Sequence, residues 1–154
     1  MLNILKNNAF VFLFLLFALF ACYKCGYAHN ITQSLPHKHF FIYKTKNIKN
    51  GDYILFSAPK TSFYVDMKLI KQVVGVSGDK VAVQDSDVFV NKRLIGKVKK
   101  RSKNGVTLRV THDSEIPKGH YFVANSHVDS YDSRYLDFGL IDEKDIIGVA
   151  FAIW

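Results

Sequence analysis

The chain has 154 residues, a formal net charge of +8, 49% hydrophobic residues and two cysteines. That length accommodates one domain of about 125 residues beside a short terminal segment and argues against a second domain. Two cysteines exclude a disulfide-laced core, and because Cys22 and Cys25 lie in or beside an apolar run they do not read as a thioredoxin-like motif.

From the start of the chain, Ala9 to Tyr23 carries no charge. With Cys25 to Ala28 the run reaches about 20 residues if Lys24 snorkels, enough for a membrane helix. Lys6 precedes it and Gly26-Tyr27-Ala28 offers a small-x-small cleavage site, so residues 1–28 read as a retained membrane anchor or a signal segment. A lipoprotein reading of Leu19-Phe20-Ala21-Cys22 is disfavoured by the phenylalanine. Lys24, Lys38, Lys44 and Lys46 follow the run and outnumber Lys6, so charge counting does not settle its orientation.

Residues 29–154 read as one domain, mostly β. Strands are expected at Phe40–Tyr43, Tyr53–Phe56, Met67–Val76, Lys80–Val83, Val88–Val90, Arg93–Val98, Val106–Val110, His120–Ala124 and Ile146–Ile153. Turn signals at Asn50-Gly51-Asp52, Ser77-Gly78-Asp79, Asn104-Gly105 and Pro117-Lys118-Gly119 separate them. This spacing points to an antiparallel, barrel-like fold behind an N-terminal membrane helix. A basic cluster from Lys92 to Lys103 lacks interleaved aromatics, so it reads as a solvated hairpin or a membrane-attracted surface, with no nucleic-acid partner. The histidines are scattered, and His37-x-His39 has no third ligand at metal spacing; neither a metal nor a cofactor is expected. His127, Asp129 and Ser130 are sequence neighbours, which is not how a Ser-His-Asp constellation is assembled.

Alternation along Met67–Val76 puts Met67, Leu69, Lys71 and Val73 on one face, so Lys71 is a lysine among apolar side chains. Desolvation depresses a lysine pKa, as a general base near neutral pH requires. A hydroxyl for it to activate is offered by Ser34, two residues after Thr32 and two before Pro36, just outside the apolar run. Serine and lysine together point to a Ser/Lys peptidase.

These residues resemble the type I signal peptidase family. Gly51-Asp52-Tyr53-Ile54-Leu55-Phe56 is similar to its G-D-x-x-x-F segment, and Ile70-Lys71-Gln72-Val73-Val74-Gly75 with Gly78-Asp79 to its lysine box. Asn125 to Tyr135, ending Ser130-Tyr131-Asp132-Ser133-Arg134-Tyr135, is similar to its S-x-D-S-R box. The boxes come in the family's order across roughly residues 30–150. The nucleophile box reads Ser34-Leu35-Pro36 instead of S-M-x-P, and no large insertion fits between Asp79 and Asn125. Both departures point to the conjugative-transfer (TraF-type) signal peptidases, although Lys38 stands where that subfamily carries glycine.

The resemblance implies Ser34 as nucleophile and neutral Lys71 as base, with the Ser34 backbone N–H and the Thr32 hydroxyl holding the oxyanion. It implies that Ser130 orients Lys71 and that Asp132 with Arg134 supports the box. The implied location is the inner (cytoplasmic) membrane, in contact with its lipids, with the catalytic domain on the periplasmic or outer face. The implied substrate is an exported precursor with small residues at the cut or, in the conjugative subfamily, a propilin trimmed and cyclised head to tail. Two further readings stay open: a general type I leader peptidase, and a catalytically inactive membrane-anchored β module that binds partners.

Overall fold

The computed structural model describes residues 2–31 and 34–153, apart from the side chains of residues 2–9 and 21. The apolar run, free of glycine and proline, forms helix α1 (Leu2–Lys24). Its last carbonyl accepts from the Lys44 backbone N–H at 2.8 Å, and Lys24 places a cation at the negative end of the helix dipole. Phe10, Phe14, Phe17 and Leu19 are exposed. Among the described residues no helix is long and apolar enough to cross a membrane.

Cys25 to Ala28, grouped above with the apolar run, lie instead in strand β1 (Cys25–His29), which pairs antiparallel with β2 (His39–Tyr43). The other strands are β3 (Tyr53–Ser57), β4 (Lys68–Gly75), β5 (Lys80–Gln84), β6 (Asp87–Val90), β7 (Arg93–Lys97), β8 (Ser114–Glu115), β9 (His120–Ala124), β10 (Ile141–Asp142) and β11 (Ile146–Ala152). They form a seven-stranded sheet, β1-β2-β11-β3-β4-β9-β10, and a four-stranded sheet, β7-β6-β5-β8. All pairings are antiparallel, but both sheets are open. The barrel-like expectation is corrected to this extent: closure needs the edge strands to meet, and the edges here are β1, next to the helix, and the two-residue β10. The strand expected at Val106–Val110 does not form either. That stretch makes only isolated bridges, Arg101 with Thr107 and Val110 with Tyr135, because no neighbouring strand lies along it.

One core joins the two sheets. Ile54, Phe56, Leu69, Val73 and Phe122 from the larger sheet pack with Val81, Val88 and Val90 from the smaller. The chain crosses between sheets at the end of β4, where a Cβ on Gly75 would lie 2.7 Å from Ile116 Cδ1 and 3.1 Å from Val90 Cγ1. The turn after it is tied by Asp79, whose carboxylate accepts from the Val76 backbone N–H at 2.8 Å and from Asn91 Nδ2 at 2.7 Å. A smaller cluster of Leu35, Phe40, Ile42 and Ala150 sits under the β1–β2 loop.

Strand β11 binds β2 on one side and β3 on the other, with a register shift against β3 between Ile146 and Gly148. A Cβ on Gly148 would fall 2.4 Å from the Tyr43 carbonyl oxygen, a backbone atom that cannot turn aside. Gly148→Ala is therefore expected to cost about 1–3 kcal/mol in urea unfolding. Gly26→Ala, whose Cβ would meet only Ile42 Cβ at 3.7 Å, is expected to change stability by less than about 0.5 kcal/mol.

Candidate active site

Alternation along β4 buries Leu69, Lys71 and Val73 and leaves Lys68 exposed. Lys71 is 4% exposed, yet it is not without a partner: Nζ donates to Ser130 Oγ at 2.8 Å. Burial drives its pKa down from 10.5 to about 8; Asp132 pulls it back up and Arg134 pushes it further down. A large fraction of this amine is thus neutral at mildly alkaline pH.

Ser34 lies in the loop between β1 and β2. The base of the loop is closed by the Asn30 backbone N–H donating to the Lys38 carbonyl at 2.7 Å, and Leu35, buried in the smaller cluster, pins the residue after the serine. Asn125 Nδ2 donates to Ser34 Oγ at 3.3 Å and to the Ile70 carbonyl at 3.4 Å. Its Oδ1 accepts from the Gln72 backbone N–H at 3.1 Å, which fixes which end of the amide faces the serine. Ser34, Lys71 and Ser130 line one cleft of about 720 Å³.

Beneath the cleft lies a buried ion pair. Arg134 donates through Nε and Nη2 to the two Asp132 oxygens, each at 2.8 Å, with the aspartate fully buried. The same Nη2 donates to the Ser130 carbonyl at 3.1 Å and the Asn125 carbonyl at 3.4 Å, while Asp132 accepts from the Asn125 backbone N–H at 3.2 Å. The pair therefore holds in place both residues whose side chains reach Lys71 and Ser34. Strand β7 passes directly over the guanidinium, since a Cβ on Gly96 would sit 2.6 Å from Arg134 Nη1.

Of the residues singled out in the sequence, Ser34, Lys71 and Ser130 share the cleft, and Asp132 and Arg134 lie under it. Thr32 lies outside the described residues. His127 lines the cleft, with Nδ1 accepting from the Asp129 backbone N–H at 3.1 Å. The sequence reading gave no role to Asn125 or Gly96. Asn125 opens the third motif and Gly96 stands alone in a basic strand, and nothing in periodicity marks either one. Arg134→Met leaves Asp132 as an unpaired buried charge and is expected to cost about 3–5 kcal/mol in chemical unfolding.

The sequence matches the family described as signal peptidase, peptidase S26, over residues 2–154. Signal peptidase I V of Bacillus subtilis (strain 168) is 31% identical over 121 residues, 71% of this chain and 68% of that protein. Signal peptidase IB of Staphylococcus aureus (strain Mu50 / ATCC 700699) is 33% identical over 135 residues, 73% of this chain and 64% of that protein. The chain thus spans about two thirds of their length. A solved signal peptidase I from Enterococcus faecalis V583 aligns at 22% identity and a TM-score of 0.43, covering 67% of this chain and 96% of that one. On the family match and these relatives, the chain belongs to the signal peptidase (peptidase S26) family of serine-type peptidases.

Proposed function

We propose that the chain is a membrane-anchored endopeptidase that removes signal sequences from exported precursors, with Ser34 as nucleophile and Lys71 as general base. The observation that carries this reading is a buried lysine with a depressed pKa, hydrogen-bonded to Ser130 in the cleft that also holds Ser34. Asn125 Nδ2 donates to Ser34 Oγ, a bond in which the hydroxyl oxygen is the acceptor and its proton is not used. Neutral Lys71 takes that proton as Oγ attacks the carbonyl carbon, and the oxyanion is held by the Ser34 backbone N–H and the Thr32 hydroxyl. As the intermediate collapses, the C–N bond breaks and the Lys71 ammonium protonates the leaving amine. A water then gives its proton to Lys71 and attacks the ester, and as the C–Oγ bond breaks the Lys71 ammonium returns that proton to Ser34 Oγ, restoring both groups. Ser130, accepting from Nζ, aims the lysine, and the Asp132–Arg134 pair holds Ser130.

The relatives described above carry signal peptidase I names, which favours general removal of signal sequences. Conjugative pilin maturation, with cyclisation by an amine in place of water, rests on the Ser34-Leu35-Pro36 box and the short Asp79–Asn125 connection alone. The proposed membrane attachment is α1, whose exposed phenylalanines and leucines suit lipid; β1 follows it directly and lines the cleft, which keeps the cleft close to the bilayer surface.

Ser34→Ala and Lys71→Met are each expected to abolish processing of a precursor with circular dichroism unchanged; full activity in either would end the dyad reading. Only the neutral amine accepts a proton, so the rate is expected to rise with pH through an inflection at about 8, measured on a peptide substrate. Leu69→Asn admits water beside the amine and is expected to move that inflection to higher pH. Because the folded pKa lies below the unfolded one, the lysine destabilises the fold fully below about pH 8 and progressively less up to 10.5. Lys71→Met is accordingly expected to be more stable at pH 7 by on the order of 3 kcal/mol in thermal unfolding.

A further inference from the structure

The cleft has two unlike ends. Tyr27, Ala28 and His29 of β1 line it, and so do Tyr64, Lys103, Asp129 and Tyr131. The latter four also line a second hollow of about 660 Å³, which no β1 residue enters. Its apolar lining comes from Phe63, Val106, Leu108 and Tyr135, with the Tyr131 ring 4.8 Å from Phe63 and 5.0 Å from Tyr135. Lys99, Arg101 and Lys103 face it as cations against a single carboxylate, Asp129. Asp129 is already engaged, by Lys99 and by Lys103 at 3.1 Å, and these bonds hold its pKa down at about 2. Arg101 forms no ion pair among the described residues. The hollow is therefore left with positive charge beside an aromatic floor.

Resting on the signal peptidase reading, the chain direction through the site follows. Helix α1 runs into β1, so a signal sequence held in the membrane reaches Ser34 past the β1 end, and the polypeptide released as the amine departs past the other. An extended chain advances about 3.3 Å per residue, so a hollow that shares a wall with the cleft takes residues a few positions from the cut. We propose that this hollow binds the precursor segment just after the scissile bond and favours acidic side chains there, through Arg101 with Lys99 and Lys103. Partly exposed charge pairs of this kind give a modest, salt-sensitive selectivity of about three- to tenfold in kcat/KM.

The test uses the full chain in detergent and peptides with identical residues before the cut and glutamate, glutamine or lysine at the second to fifth positions after it. The expected order of kcat/KM is glutamate, glutamine, lysine, with the spread shrinking at high salt. Arg101→Gln is expected to flatten the order and Arg101→Glu to reverse it; Arg101 lines the hollow and not the catalytic cleft. Equal rates for all three peptides, or an order that survives in Arg101→Glu, would overturn the proposal. If no peptide is cut, the peptidase reading fails on its own, and fluorescence anisotropy of labelled product-side peptides judges the hollow. Tighter binding of the glutamate peptide, lost in Arg101→Glu, supports the proposal, and equal binding refutes it. Retention on phosphatidylglycerol vesicles that depends on Arg101, with no discrimination among peptides, would make the hollow a lipid-headgroup site and refute the peptide assignment.

Discussion

Removing one amine from water is the constraint on which the rest of the site depends. An ammonium enclosed between Leu69 and Val73 loses hydration worth several kcal/mol, so the neutral form gains ground. A carboxylate nearby ordinarily restores the charge, and Asp132 does act in that direction. It does not win, because the desolvation of the buried amine outweighs it, and Arg134, which takes both Asp132 oxygens, adds a smaller push in the same direction as burial. The ion pair thus supplies rigid hydrogen bonds to the site while its fields on the lysine oppose each other.

That arrangement explains why a serine on a loop can be held as if on a strand. The β1–β2 loop is fixed at three points: the Asn30 bond at its base, Leu35 in a hydrophobic cluster, and Asn125 on the hydroxyl. Asn125 and Ser130 belong to the segment that Arg134 ties together through their carbonyls, so one guanidinium sets the positions of groups that reach both Ser34 and Lys71. Positioning groups locked on packed elements beneath a cleft is how a site keeps its geometry.

The larger sheet matters to the site because it pairs β4 with β9, and the smaller sheet because it covers the ion pair beneath them. Gly75 lets β4 approach Ile116 and Val90 closely enough for the chain to enter the second sheet, and Gly96 lets β7 cover the guanidinium. The smaller sheet and the loop after it also bring the basic segment from Lys99 to Lys103 over Tyr64 and Tyr131. A cluster without aromatic neighbours in sequence thereby acquires an aromatic floor from elsewhere in the chain.

The sequence alone determined the strand-rich character, the apolar N-terminal run and the burial of Lys71. Each of these follows from local periodicity, which one strand or helix expresses regardless of its partners. The motifs also brought Ser34, Ser130, Asp132 and Arg134 to notice, and all four lie in or under one cleft. Pairing decided the rest. Cys25 to His29 became a strand because β2 offered an edge, and Val106 to Val110 did not because none was offered, although its alternation was the stronger. Open sheets in place of a barrel, the role of Asn125, and the clearance at Gly96 and Gly148 depend on atoms dozens of residues away. Contacts of that kind leave no period in the chain, so only the tertiary structure could decide them.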